Sequence, residues 1–121
     1  MADQPLTIRI RVKQGRNVVF GPGKAQLLEG IARTGSIAAA GRDMSMSYKR
    51  AWMLIEGLNT AFGSPLVETI RGGSTGGGAT LTLRGQQVLD LYHRLVKSAL
   101  EATAQHCRDL EALLADDKRP L

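Results

Sequence analysis

The sequence predicts a mainly helical α+β fold with small β elements, and three observations carry that reading. Apolar residues recur at helical spacing in four separate stretches. Short strand-like runs lie before the first of these and between the third and fourth. Five glycines in the eight residues 71–78 separate the last two strand-like runs. A length of 121 residues suits a single domain and one core.

Residues 6–13 alternate apolar and polar, which places Leu6, Ile8, Ile10 and Val12 on one face of a strand and Arg9, Arg11 and Lys13 on the other. Gln14-Gly15-Arg16-Asn17 has turn chemistry, and Val18-Val19-Phe20 returns as the second strand of an N-terminal β-hairpin. Gly21-Pro22-Gly23 ends it. The cations Arg9, Arg11 and Lys13 are expected to serve dimer contact or long-range steering.

Over residues 24–34, Leu27, Leu28, Ile31 and Ala32 define the inward face of a helix that stops at Gly35. Ser36 can cap a short second helix with Ile37, Ala40, Gly41 and Met44 inward. The small side chains of Ala38-Ala39-Ala40-Gly41 admit another helix at close range. After Met44-Ser45-Met46, Ser47 is the N-cap of a third helix, with Tyr48, Ala51, Trp52, Ile55, Leu58 and Phe62 inward and Lys49, Arg50 and Met53 outward. Tyr48 suits either the core or the outward face.

Gly63-Ser64-Pro65 breaks that helix, and the strand-like runs 66–70 and 79–83 pair across the glycine-rich stretch. Two helices joined by a tight turn, two adjacent cations starting the second, and a hairpin with a glycine-rich tip together define a winged helix-turn-helix. Residues 84–115 then read as one long helix, about 45 Å if 30 residues long, which exceeds the body of so small a domain. Its stripe of Val88, Tyr92, Leu95, Ala99, Thr103, His106, Leu110 and Leu113 needs a helical partner, and the expected partner is a second copy of the chain. The organisation expected is therefore a winged helix-turn-helix with its hairpin over 1–85, a long dimerisation helix over 86–115 belonging to the same domain, and a disordered tail over 116–121.

The net charge is +5, unevenly spread. Residues 1–85 hold 11 Lys or Arg against 5 Asp or Glu, and residues 86–121 hold 5 against 6. A basic body beside a nearly neutral helix is the pattern of a domain that meets a polyanion at one end. The N-terminus lacks the apolar run of a signal peptide or membrane span, and the single Cys107 cannot form an intrachain disulfide, so a cytoplasmic location is expected. Cys107 reads as a small hydrophobe rather than a metal ligand, and His93 and His106 carry no special role.

Other chemistries fit poorly. Gly23-Lys24 is followed by Ala25, with Val18 where a phosphate-binding loop needs its first glycine, and the stretch 72–78 has no following lysine. No His lies before residue 86 and no Cys has a nearby base, so no catalytic constellation is visible and no enzyme activity, cofactor or metal is expected.

Several runs carry a family resemblance that spans about residues 6–95: Gly35-Ser36-Ile37-Ala38-Ala39-Ala40, Ser47-Tyr48-Lys49-Arg50-Ala51-Trp52, Pro65-Leu66-Val67-Glu68, Gly76-Gly77-Gly78-Ala79 and Leu81-Thr82-Leu83-Arg84-Gly85. They resemble the N-terminal DNA-binding domain of the molybdate-responsive ModE regulators, within the broader LysR-type winged helices. The resemblance implies a bacterial transcription regulator that binds operator DNA as a dimer. Ser47, Tyr48, Lys49 and Arg50 match the start of the family's recognition helix, and residues 71–78 match its wing. Ser36, Met53, Arg71, Ser74, Thr75 and Arg84 complete the DNA-contact residues expected. The chain ends at Leu121, without the family's C-terminal molybdate-binding domains, so no molybdate site is expected within it. The alternative is a winged helix used for non-specific DNA architecture or protein contact.

Overall fold

A strand needs a partner along its length, and that requirement shapes the N-terminus. In the computed structural model, which describes residues 5–70 and 78–115, β1 (Val12–Gln14) pairs antiparallel with β2 (Asn17–Phe20). Val12 lies opposite Phe20, and a register shift follows between Val12 and Lys13. The strand expected over residues 6–13 is thus cut to its end. The chain turns into α1 (Pro22–Thr34) just after Phe20, so residues 6–11 have no partner strand. Two hydrogen bonds tie that segment to the C-terminal helix instead: the Tyr92 hydroxyl donates to the Ile10 carbonyl at 2.6 Å, and the Leu6 N–H donates to Glu111 Oε2 at 3.3 Å. Ile8, expected inward, is exposed.

Pro22 starts α1 two residues before the expected point, because its fixed φ and missing N–H suit the first helical position. Leu27, Leu28 and Ile31 are fully buried, whereas Ala32, expected inward, faces solvent. Gly35 ends the helix in the left-handed conformation, its N–H donating to the Ile31 carbonyl at 2.7 Å. Ser36 then caps α2 (Ile37–Asp43) by accepting the Ala39 N–H at 3.0 Å. The two helices nearly touch. A Cβ on Gly30 would stand 2.9 Å from the Ala40 Cβ, so a side chain there would push them apart.

The turn after α2 is held by Gly41, whose carbonyl accepts the N–H groups of Met44 (3.0 Å) and Met46 (2.9 Å). Ser47 caps α3 (Tyr48–Ala61), which buries Ala51, Ile55 and Leu58 and half-buries Trp52 and Phe62. Tyr48 departs from the inward stripe and is 52% exposed. As the first residue of α3 it stands beside Ser36, Ile37 and Ala38 at the start of α2.

β3 (Val67–Ile70) and β4 (Gly78–Leu81) pair antiparallel from Val67 opposite Leu81 to Ile70 opposite Gly78. Asn59 Oδ1 accepts the Leu66 N–H at 2.8 Å, and the Ala79 N–H donates to the Gly35 carbonyl at 2.9 Å, which fixes the strands to α3 and to the end of α1. β4 is shorter than the expected run to residue 83, because Thr82 already caps α4 (Leu83–Ala112). The Thr82 hydroxyl accepts the Gly85 N–H at 3.0 Å and donates to the Pro65 carbonyl at 2.7 Å.

The 30 residues of α4 match the long helix expected, but its stripe is divided differently. Tyr92 and Leu89 are buried in the chain's own core, with Val88 and Val96 packed against it. Phe20 links the aromatic part of that core, edge-on to Phe62 at 6.5 Å and to Tyr92 at 5.0 Å. Tyr92 is therefore an anchor within the chain and not, as its spacing suggested, part of a helix partner's surface.

Burial pushes the Tyr92 phenol above its ordinary value of 10.0, Arg9 pulling it down and Glu29 adding to the rise. The folded state then keeps a proton that the unfolded chain releases. This contribution to stability is complete below about pH 10 and is lost as pH rises through the folded-state value. Tyr92→Phe is expected to cost about 0.5–1.5 kcal/mol at pH 7 through the lost hydrogen bond. The gap to the parent protein should narrow towards pH 11 in thermal melts. A gap that stays constant with pH would contradict this account.

Candidate nucleic-acid interface

The first turn of α3 contains a local conflict. The N-terminus of a helix carries partial positive charge and favours carboxylates, yet this turn holds Lys49 and Arg50 and no acidic residue. The Ser47 hydroxyl accepts the Arg50 N–H at 3.0 Å and so fixes the turn despite them. Both cations are exposed, and neither has an ion pair among the described residues. A site that gathers positive charge against helix preference is built to meet an anion.

Two shallow grooves flank the exposed edge of α3. On one side, Ser47, Lys49, Arg50, Met53 and Leu54 line a groove of about 330 Å³. Met53 is 61% exposed and gives this cationic surface an apolar centre. On the other side, Ser36 and Tyr48 come together with Thr69, Ile70 and Gly78 around a groove of about 240 Å³. The cap of α2, the start of α3 and the loop-side end of the β3–β4 ladder therefore border the second groove together. Of the DNA-contact residues expected from sequence, the structure brings together Ser36, Ser47, Tyr48, Lys49, Arg50 and Met53. Arg84 is exposed on the first turn of α4 and lines neither groove. Arg71, Ser74 and Thr75 lie outside the described residues, as do 116–121.

A third groove, of about 560 Å³, adjoins the first at Arg50 and was not read from the sequence. Arg9, Arg11 and Lys24 line it with Arg50. The signal was present, since Arg9 and Arg11 alternate with apolar residues, but their pairing with α1 and α3 depends on where the segment before β1 crosses the body.

Charge elsewhere is partly neutralised. Arg33 pairs with Asp43 at 2.6 Å, both well exposed, which joins the end of α1 to the end of α2 and contributes little stability. His93 Nε2 is in hydrogen-bond contact with Glu29 Oε2 where α1 meets α4. Along α4, Leu95, His106, Leu110 and Leu113 of the expected dimer stripe are exposed, and Ala99 and Thr103 are half-buried. Leu91, at 60% exposure, lies one turn before Leu95 and was missed because it stands outside the stripe that contains Tyr92. Cys107 is half-buried and free. No helix among the described residues is long and apolar enough to cross a membrane.

The chain matches the family of bacterial regulatory helix-turn-helix proteins, lysR family, over residues 23–86, which covers α1 through the start of α4. It is 42% identical over 89 residues to the molybdenum-pterin-binding protein MopA of Rhodobacter capsulatus, covering 74% of this chain and 34% of that protein. It is 35% identical over 114 residues to the DNA-binding transcriptional dual regulator ModE of Escherichia coli K12, covering 94% of this chain and 41% of the regulator. The chain thus spans about a third to two-fifths of the length of these relatives. Among solved structures, a LysR family transcriptional regulator superposes with a TM-score of 0.52 at 22% identity, over 69% of this chain and 28% of that one, a likeness of fold.

Proposed function

The chain belongs to the lysR family of bacterial regulatory helix-turn-helix proteins, and on that premise we propose that it binds duplex DNA sequence-specifically, as a homodimer, to regulate transcription in the bacterial cytoplasm. The observation that carries the reading is the Ser47-capped start of α3, which presents Lys49, Arg50, Tyr48 and Met53 together to solvent. A helix of this kind enters a major groove, where Arg and Lys reach guanine edges and an apolar side chain meets a thymine methyl. Ser36 and Arg84 hold phosphates on either side. Arg71, Ser74 and Thr75, in the sequence between β3 and β4, supply further backbone contacts.

Dimerisation rests on α4, where Leu91, Leu95, Leu110 and Leu113 remain exposed after the chain has buried Leu89 and Tyr92. Residues 1–85 act as the DNA-reading body, and the helix beyond them holds two bodies together. A two-fold dimer sets its two recognition helices about 34 Å apart, or a multiple of that, on one face of the duplex. No catalytic role enters this reading.

Selection of bound sequences from a random duplex pool tests it. A partly palindromic sequence is expected, with half-sites about 10 base pairs apart centre to centre, or a multiple. A pool without enrichment, bound equally well before and after selection, would overturn the sequence-specific reading.

A further inference from the structure

Arg9 and Arg11 stand in an irregular segment, yet the fold sets them beside Arg50 of the recognition helix and Lys24 of α1 around one groove of about 560 Å³. The cations come from three separate elements, and no carboxylate lines the groove among the described residues. Arg9 also borders the neighbouring groove that Glu29 lines. Around this one, four like charges gather with no carboxylate in the lining, which costs folding free energy, so their placement calls for an external anion.

Two further features fit the same anion. Lys24 directs its ammonium towards the hairpin, donating to the Val18 carbonyl at 2.8 Å, so one of its three donors is fixed and the head is held at the groove. The start of α1 lines the same groove, where Gly21 offers no side-chain cap, the first turn carries no acid, and the Gly23 and Lys24 amides have no acceptor within the helix. The Arg11 stem lies over Gly21, whose added Cβ would be 3.2 Å from Arg11 Cγ.

We propose that this groove is a second DNA-contacting surface, which takes the phosphodiester backbone beside the half-site read by α3. The inference rests on the duplex-binding reading above. The commitment to DNA follows from continuity: Arg50 lines both this groove and the one beside Lys49 and Met53, so a duplex seated on α3 passes its backbone across the opening. An extended strand of regularly spaced negative charges suits a long open groove lined by exposed guanidinium groups. The N-terminal hairpin then has a role of its own: it carries a basic arm to the DNA side of the domain.

The test compares the full chain with Arg9→Gln plus Arg11→Gln, and with Arg9→Lys plus Arg11→Lys, on the selected duplex by anisotropy at several salt concentrations. Thermal melts verify that each variant is folded. The glutamine pair is expected to bind more weakly, with a log affinity against log salt slope shallower by about two units per protomer, or about four for the dimer. The lysine pair should keep the parent slope, because phosphate neutralisation requires charge and not a guanidinium plane. A glutamine pair with the parent's slope and affinity would overturn this proposal while leaving duplex binding intact. A parent chain that binds no duplex would overturn the underlying reading as well.

Discussion

Gly85→Ala is expected to destabilise the protein by about 3 kcal/mol or more, at the upper end of what overpacking costs. A Cβ at that position would stand 2.1 Å from the Leu66 carbonyl oxygen and 3.0 Å from its carbon. The obstacle is backbone, and that backbone cannot step aside. The same Leu66 carbonyl accepts the Thr82 N–H at 2.9 Å, the Leu66 N–H is held by Asn59, and the Leu66 side chain is fully buried. Relief therefore requires α4 to lift away from the β3–β4 hairpin, which breaks the Thr82 cap and exposes Leu89 and Tyr92 at the core. For a domain of this size the loss corresponds to a fall in melting temperature of about 10–20 °C. A variant that melts within a few degrees of the parent would show that the α4–β3 contact is loose.

The second large effect concerns binding alone. Lys49→Ala with Arg50→Ala is expected to weaken binding to the selected duplex by about 3 kcal/mol, roughly 100-fold, since each base-edge contact of this kind contributes about 1–3 kcal/mol. Both side chains are exposed, and neither has an ion pair among the described residues, so the dimer should persist and the melting temperature should not fall. Removing two cations from the first turn of α3 also relieves an unfavourable interaction with the helix dipole, which gives a slight rise in stability. Loss of binding with gain of stability separates this site from the core. If the double variant kept its affinity, α3 would not be the reading helix.

The parts of the fold that were legible in the sequence are those that local chemistry decides. Ser36 and Ser47 each stand before a run of helical spacing with a backbone N–H three residues on, and both form the cap expected. Gly35 ends α1 and Gly63 follows α3 for similarly local reasons. The early start of α1 at Pro22 and the early end of β4 before Thr82 are local misreadings; the larger ones involve contacts between distant segments. Residues 6–11 alternate as a strand should, but alternation cannot reveal that β2 runs out at Phe20. Tyr92 has the spacing of an interface residue, yet its hydroxyl meets a carbonyl 82 positions earlier. Tyr48 shares the spacing of Ala51, Ile55 and Leu58, but whether a stripe's first member is covered depends on how far the neighbouring helix extends.

The site divides in the same way. Ser47, Lys49, Arg50 and Met53 were legible because a cap, a helical period and a preceding small-residue helix place them. The groove formed by Arg9, Arg11, Lys24 and Arg50 was not, because it joins three elements that nothing in the sequence brings together. Thr82 and Asn59 were missed as well. The cap that Thr82 gives Gly85 is as local as those of Ser36 and Ser47, but its bond to the residue 65 carbonyl and the bond of Asn59 to the residue 66 N–H join groups that only the folded chain sets side by side.

The central claim is that α3 reads duplex DNA through a cationic surface, and anisotropy of the selected duplex and a scrambled duplex at several salt concentrations tests it most directly. The account predicts much tighter binding to the selected sequence, with log affinity falling linearly against log salt at a slope of roughly −5 to −9. Equal affinity for both duplexes with a slope near zero would contradict it.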